Sequence, residues 1–303
     1  MKQPVEEKTD HLKPQNSENV FMKHPHPQRS RTISVSRPCI TKVKVLGIGA
    51  FAKVELVNRD GEQYALKSGE VQKEYEIMKN LKHPYLVKCL EYINMGNMGG
   101  LLLEYIRGGE LFALIAFHYD LMQVSWINTI MSEITSAISY LHKKGIAHRD
   151  IKLENVLLHS MVDSSSNPPK YPFMIKLCDL GLATTDEKST EHCGSKEYAA
   201  PELILQQEYI PKQVDMWAVG IIWYACCCGQ LPFGNPETLA KQVMRKRKKV
   251  EFLIAGIQFD FIENSRLLNE KMRHGINHLM CHRDGRWNAE VLTTYLLDLN
   301  SLI

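Results

Sequence analysis

His148-Arg149-Asp150-Ile151-Lys152-Leu153-Glu154-Asn155 puts six polar side chains, each of a different kind, into eight consecutive positions. A carboxylate, an ammonium two residues on and a carboxamide three beyond that form a set able to divide proton acceptance, charge neutralisation and metal ligation among themselves. An eight-residue stretch can arise by accident, so its meaning depends on whether the rest of the chain supplies partners in a sensible order.

The composition suits a globular enzyme-sized chain. Its 303 residues fit one large or two small domains, and 44% hydrophobic residues suffice for a proper core. Lys and Arg number 37 against 34 Asp and Glu, and a net charge of +3 argues for no nucleic-acid partner. The longest apolar segment, Trp217 to Cys228, is well short of the roughly 20 residues a membrane span needs and reads as a buried helix. Met1-Lys2-Gln3-Pro4 carries neither a signal-peptide core nor a myristoylation glycine, and Ser301-Leu302-Ile303 carries no prenylation cysteine. The expectation is no membrane attachment and a reducing cytoplasmic location, with the nucleus as a second possibility. The eight cysteines include no Cys-x-x-Cys pair, and three are consecutive at Cys226 to Cys228, as expected of buried free thiols. Residues 1–38, rich in Pro, Lys, His, Asn and Ser, read as a disordered basic tail in which Arg29 precedes Thr32 by three and Arg31 precedes Ser34 by three. The run Arg245 to Lys249 reads as a solvated basic face, with a docking or import signal as the alternative.

Outward from the central stretch, the partners follow in order. From Thr41, Val43 and Val45 alternate with lysines as in a half-buried strand that runs into Gly47-Ile48-Gly49-Ala50-Phe51-Ala52-Lys53-Val54, a glycine-rich loop between two strands. Tyr64-Ala65-Leu66-Lys67 ends the next strand. A helix ending near His83-Pro84 follows, with Glu74 beside Val71, Tyr75 and Met78. Leu101 to Ile106 is a buried strand leading to Arg107-Gly108-Gly109-Glu110, and Ile127, Ile130, Met131, Ile134, Ile138 and Leu141 form the apolar stripe of a long helix. Beyond the central stretch come Val156-Leu157, an exposed insertion at 161–172, Lys176-Leu177-Cys178-Asp179-Leu180-Gly181, Gly194-Ser195-Lys196-Glu197-Tyr198, Ala200-Pro201-Glu202, Asp215-Met216-Trp217-Ala218-Val219-Gly220 and Arg283 to Trp287. Asn235-Pro236-Glu237 has the cap and first-turn proline of a helix start. In this order the motifs resemble those of eukaryotic serine/threonine protein kinases across about residues 41–298.

The resemblance implies a bilobal α+β fold, a small antiparallel-sheet lobe over 41–104 and a larger helical lobe over 107–298, with ATP and Mg²⁺ between them. In this frame Asp150 takes the proton of a protein hydroxyl, Lys152 neutralises the moving phosphoryl group, and Asn155 and Asp179 hold Mg²⁺. Gly47 and Gly49 cover the phosphates, Lys67 holds them, and Glu74 steers Lys67. Val54, Ala65 and Leu157 enclose the adenine, with Leu103 as gatekeeper. The backbones of Glu104 and Ile106 bond the adenine, and Glu110 lies near the ribose. Leu180 packs with His148, Met78 and Cys89 to align the lobes, Ser195 bridges Asp150 and Lys152, Asp215 anchors the central loop, and Arg286 or Arg283 pairs with Glu202. Protein substrates and a monomeric catalytic domain follow as expectations. The Gly-Gly-Glu-Leu-Phe and Cys-Gly-Ser segments favour the calcium/calmodulin-dependent, AMP-activated or related basophilic subgroups, with Glu110 and Glu154 receiving a basic residue three before the acceptor. Ala225 stands where a second such acid often sharpens the preference at two before, and Glu191 stands where many relatives carry a phosphorylated threonine, facing Arg149. Thr32 or Ser34 is a candidate autophosphorylation site, and any built-in regulator is expected in residues 1–38. The sequence departs from the pattern at Ala52, at Leu180 and in having only six residues between Lys67 and Glu74. Those departures leave an ATP-binding pseudokinase scaffold as the rival.

Overall fold

Asp60 and Gly61, with φ of 55° and 87°, form the left-handed turn that Asp-Gly favours, and they join β2 (Ala52–Arg59) to β3 (Glu62–Gly69) in a tight hairpin. With β1 (Ile40–Ile48), β4 (Cys89–Asn94) and β5 (Gly99–Glu104), these strands make an antiparallel sheet in the order β1-β2-β3-β5-β4. The computed structural model describes residues 40–49, 52–160, 173–233 and 265–301. The tail with Thr32 and Ser34, Phe51, the 161–172 insertion, the Asn235 helix start and the run Arg245 to Lys249 lie outside the described residues.

Side chains alternate across a strand. Ala65, Leu101 and Leu103 accordingly join the main core, while Leu66 and Leu102 join Val57 in a small cluster on the other face. β1 departs from expectation. Val43 and Val45 are 54% and 48% exposed, because β1 is an edge strand with β2 as its only sheet neighbour and, of its residues, Ile40 alone packs against a hydrophobic cluster among the described residues.

The single helix of this lobe among the described residues, α1 (Gln72–Met78), is only seven residues long and ends five residues before His83-Pro84, so the expected extension to that proline is not there. Such a short helix has little stability of its own. Tertiary contacts hold it: Val71 and Met78 are buried in the core and Glu74 is tied down by an ion pair with Lys67 and a hydrogen bond from the Leu180 N–H.

The second lobe is helical. In α3 (Val124–Lys143) the six stripe residues Ile127, Ile130, Met131, Ile134, Ile138 and Leu141 are fully buried. α5 (Pro211–Cys228) opens on proline, closes on Gly229 at φ 74°, and is buried on every side from Val214 to Cys228, which explains its all-round apolar sequence. α2 (Leu111–Phe117), the short α4 (Pro201–Ile204), α6 (Glu270–Leu279) and α7 (Ala289–Asn300) are the lobe's other α-helices among the described residues. Asn269 and Asn288 cap α6 and α7 by accepting hydrogen bonds from first-turn N–H groups at 2.9 and 3.0 Å. A two-stranded hairpin, β6 (Val156–Ser160) with β7 (Phe173–Leu177), lies against the linker between the lobes, and residues 148–155 and 178–181 emerge from one end of it.

Candidate active site

One buried carboxylate shapes the loop that precedes β6. Asp215, 1% exposed on the first turns of α5, accepts the His148 N–H at 2.9 Å on Oδ2 and the Arg149 N–H at 2.8 Å on Oδ1, and its Oδ2 also meets His142 Nε2 at 2.8 Å. This anchoring holds Arg149 at φ 65°, a conformation costly for a residue with a Cβ. His148, fully buried, meets the Cys178 carbonyl at 3.0 Å through Nε2, which joins the loop to the segment after β7.

The loop then presents Asp150 with its carboxylate ringed by donors. Oδ1 accepts from the Ser195 N–H at 3.1 Å and the Ser195 hydroxyl at 2.9 Å, and Oδ2 receives Lys152 Nζ at 2.8 Å and Asn155 Nδ2 at 3.1 Å. Lys152 Nζ also donates to Ser195 Oγ at 3.0 Å, so serine, lysine and aspartate close a triangle. Burial opposes the charge on Lys152, but Asp150's hydrogen bond and charge outweigh it and raise the lysine pKa. The Asn155 amide nitrogen is spent on Asp150, donating to its backbone carbonyl at 2.7 Å as well, and this fixes the amide so that Oδ1 is the free atom.

Asn155 and Asp179 share one end of the hairpin. Val156 pairs with Leu177, and the Cys178 N–H bonds the Asn155 carbonyl at 2.9 Å, so both side chains emerge just past the last rung. Asp179, also at a positive φ of 65°, accepts from Lys67 Nζ at 2.8 Å and from the Gly181 N–H at 3.2 Å on Oδ1. Lys67 Nζ also meets Glu74 Oε2 at 2.6 Å, while Glu74 Oε1 accepts the Leu180 N–H at 3.1 Å. The shortened helix therefore does bring Glu74 to Lys67. Burial disfavours the lysine's charge, yet Glu74 and Asp179 outweigh it and raise its pKa. At Asp179 burial is likewise outweighed, by Lys67 and the Gly181 N–H, and its pKa falls. An ammonium and two hard oxygen donors of this kind suit phosphate oxygens and a small divalent cation. Cys178, half-buried beside them with its pKa pushed up by desolvation, stays a neutral thiol.

On the sheet side, Gly47 and Lys67 flank Val54 across the ladder, and Ala65 sits opposite Leu103 on β5. Val54 and Leu157 are partly buried against the core that contains Ala65 and Leu103. A Cβ at Gly47 would meet nothing within 4 Å, so the backbone there is open to a close ligand, and the Gly49 N–H closes the loop on the Ala52 carbonyl at 2.8 Å. Ile106 is 6% exposed, and its N–H has no partner among the described residues. The Glu104 side chain turns towards Lys88 and Lys176, accepting from the Lys88 N–H at 2.8 Å and from Lys176 Nζ at 2.9 Å. Lys176 has no sequence signal as a linker residue, being 72 positions from its partner. Nor is the clamp behind the linker visible in sequence: Leu158 N–H donates to the Gly109 carbonyl at 2.8 Å, Leu157 bridges Glu110, and a Cβ on Gly108 would stand 2.1 Å from the Leu158 carbonyl. Glu110 is exposed at the head of α2, and its pKa is raised by partial burial and by the charge of Glu154.

Beyond Gly181 the chain is pinned at two points. Arg149 reaches out of the loop to the Leu182 carbonyl at 2.7 Å through Nε and to Glu191 Oε2 at 2.8 Å through Nη1. Tyr209 holds the Glu191 carbonyl at 2.6 Å, and the Ser189 hydroxyl accepts the Glu191 N–H at 3.1 Å. Further on, Arg286 forms a buried two-pronged pair with Glu202, at 2.7 and 3.2 Å, and lies over the Trp217 ring. Of the two arginines the sequence left open, Arg286 takes this place, and Arg283 bonds the Glu208 carbonyl instead.

Residues 40–292 match the family model described as the protein kinase domain. The maternal embryonic leucine zipper kinase of Xenopus tropicalis is 32% identical over 258 residues, which cover 79% of this chain and 38% of that protein. The serine/threonine-protein kinase kin-29 of Caenorhabditis elegans is 31% identical over 257 residues, 83% of this chain and 29% of the relative. The chain thus spans little more than a third, or less, of the curated relatives it matches. With the sheet lobe, the helical lobe and a family match over most of its length, the chain belongs to the protein kinase family.

Proposed function

We propose that the chain is an ATP-dependent serine/threonine protein kinase of the calcium/calmodulin-dependent and AMP-activated type, active on protein Ser and Thr hydroxyls. The observation that carries the reading is the Asp150 carboxylate, held by Ser195, Lys152 and Asn155 at the same end of a hairpin as the Lys67–Glu74–Asp179 cluster. The donor set fits the nucleotide and the metal: an uncommitted Ile106 N–H and the open Gly47 backbone for the adenine and phosphates, and Asn155 Oδ1 with Asp179 for Mg²⁺. When bound, Mg²⁺-ATP supplies the transferable phosphoryl group and the cation that shields its charge. Asp150 accepts the proton of the acceptor hydroxyl. Lys152, kept charged by Asp150, neutralises charge next to it, and Lys67 orients phosphate oxygens under the direction of Glu74. Glu110 and Glu154 form an anionic patch that receives a basic side chain three residues before the acceptor, a charge-assisted contact. The protein works as a monomeric catalytic unit in the cytoplasm, with the nucleus as a second location, and it modifies proteins rather than nucleic acids or membranes.

Phosphoamino-acid analysis of a mixed protein substrate after incubation with Mg²⁺-ATP tests the reading. Phosphoserine and phosphothreonine are expected. Nucleotide binding without any transfer would instead make the chain an ATP-binding scaffold.

A further inference from the structure

Next to the Asp150–Ser195 pair lies a half-open cavity of about 330 Å³, formed by the backbone at Gly194 and the segment that follows it. Its floor is apolar, with Ala199, Leu203 and Ile204, while His192 and Lys196 stand on its rim. Both rim residues are exposed, and neither side chain has a hydrogen-bond or ion-pair partner among the described residues. No carboxylate lines the cavity among those residues. The Asp150 carboxylate, close behind Gly194, is engaged by Ser195 and Lys152, Glu191 is paired with Arg149, and Glu197, exposed on the adjacent position, is not part of the lining.

The position of this cavity fixes what can enter it. An acceptor hydroxyl that reaches Asp150 lies beside Ser195, whose Oγ is 2.9 Å from the same carboxylate. One residue of extended chain spans about 3.3–3.6 Å, so the side chain neighbouring the acceptor reaches the cavity bounded by Gly194 and Lys196. With Glu110 and Glu154 receiving the residue before the acceptor, as proposed above, the cavity is left to the residue that follows. We infer that this site selects an acidic side chain, glutamate above all, immediately after the phosphoacceptor: its methylenes lie on Ala199, Leu203 and Ile204, and its carboxylate meets Lys196 and His192. The preferred substrate is then bipolar, basic before the acceptor and acidic directly after it. This inference deepens the kinase reading and rests on it.

The test is a peptide series with Arg three before a single Ser and Glu, Gln, Leu or Lys directly after it, assayed with the full chain and Mg²⁺-ATP. Glu is expected to exceed Gln by about two- to fivefold in kcat/KM, the range of an exposed ion pair, and Lys is expected to rank last. Moving Glu to the position before the acceptor should give no gain. In Lys196→Glu the ranking should invert, with the Lys peptide best; activity on that peptide shows that the variant is folded. A flat series, Leu in first place, or an unchanged ranking in Lys196→Glu overturns the inference while leaving the kinase reading intact. Failure of the wild-type chain to phosphorylate any peptide overturns both.

Discussion

Removing the charge of Glu191 should reduce turnover without any upstream kinase being involved. Arg149 adjoins Asp150, its side chain is 7% exposed, and its one carboxylate contact among the described residues is Glu191 at 2.8 Å. In Glu191→Gln the guanidinium keeps the Leu182 carbonyl but loses its counter-charge in a setting where burial already disfavours it. A charge-assisted bond contributes about 1.5–3 kcal/mol, and an exposed pair about 0.2–1 kcal/mol. With Arg149 buried but Glu191 65% exposed, an intermediate loss of about 1–2 kcal/mol is appropriate, or roughly five- to thirtyfold in the population of the ordered segment. The assay is kcat of protein confirmed to be unphosphorylated by mass spectrometry, with Glu191→Lys as the stronger perturbation. Thr190→Ala is the control and should stay near wild type. Ser189→Ala is a poorer control, since its hydroxyl accepts the Glu191 N–H and its loss loosens the same corner. If unphosphorylated wild type is inactive and Thr190→Ala is dead while Glu191→Gln is unaffected, the reasoning is refuted and a phosphate on Thr190 governs the segment.

Three further outcomes follow from the geometry. The preference for Arg over Gln three before the acceptor should be lost in Glu110→Ala, Glu154→Ala and should weaken on acidification. Burial and Glu154 raise the Glu110 pKa, so its carboxylate begins to protonate above the ordinary glutamate range of about 4.3, and the Arg/Gln ratio should be full at pH 7.5 and smaller near pH 5. Arg286→Ala leaves Glu202 buried without its cation and should cost about 3–5 kcal/mol in denaturant unfolding, with a Tm fall on the order of 10 °C. Gly108→Ala forces a methyl towards the Leu158 carbonyl 2.1 Å away and should displace the linker from β6, lowering stability by about 1–3 kcal/mol and weakening ATP binding measured by calorimetry.

Much of this arrangement can be read from the chain because its parts are local. Asp150, Lys152 and Asn155 lie within six residues, and the α3 stripe announces itself through spacing alone. Glu74 was harder to place: the count from His83-Pro84 assumed that the helix reaches the proline, whereas α1 stops at Met78 and keeps Glu74 on Lys67 through tertiary bonds. Valines alternating with lysines in β1 suggested a half-buried strand, but alternation reports two unlike faces and says nothing of whether another layer covers one of them. The Glu104–Lys176 bond and the Gly108–Leu158 contact are meetings of distant segments that no local pattern encodes. Choosing Arg286 over Arg283 likewise depends on the turn between α6 and α7, which directs one arginine inward over Trp217 and the other to Glu208.

The most direct measurement compares phosphotransfer and nucleotide affinity in wild type, Asp150→Asn and Asp150→Ala. Four donors converge on the Asp150 carboxylate, so an asparagine there must turn its NH₂ towards either Ser195 or the Lys152–Asn155 pair. The alanine variant removes the proton acceptor without that clash. Both variants should bind Mg²⁺-ATP with a Kd within a few-fold of wild type, because Lys67, Glu74 and Asp179 are untouched. Their kcat should fall by about 10²–10⁴, the usual worth of a positioned general base. Retention of most of the wild-type kcat in Asp150→Ala would contradict the assignment of Asp150 as the group that takes the acceptor's proton.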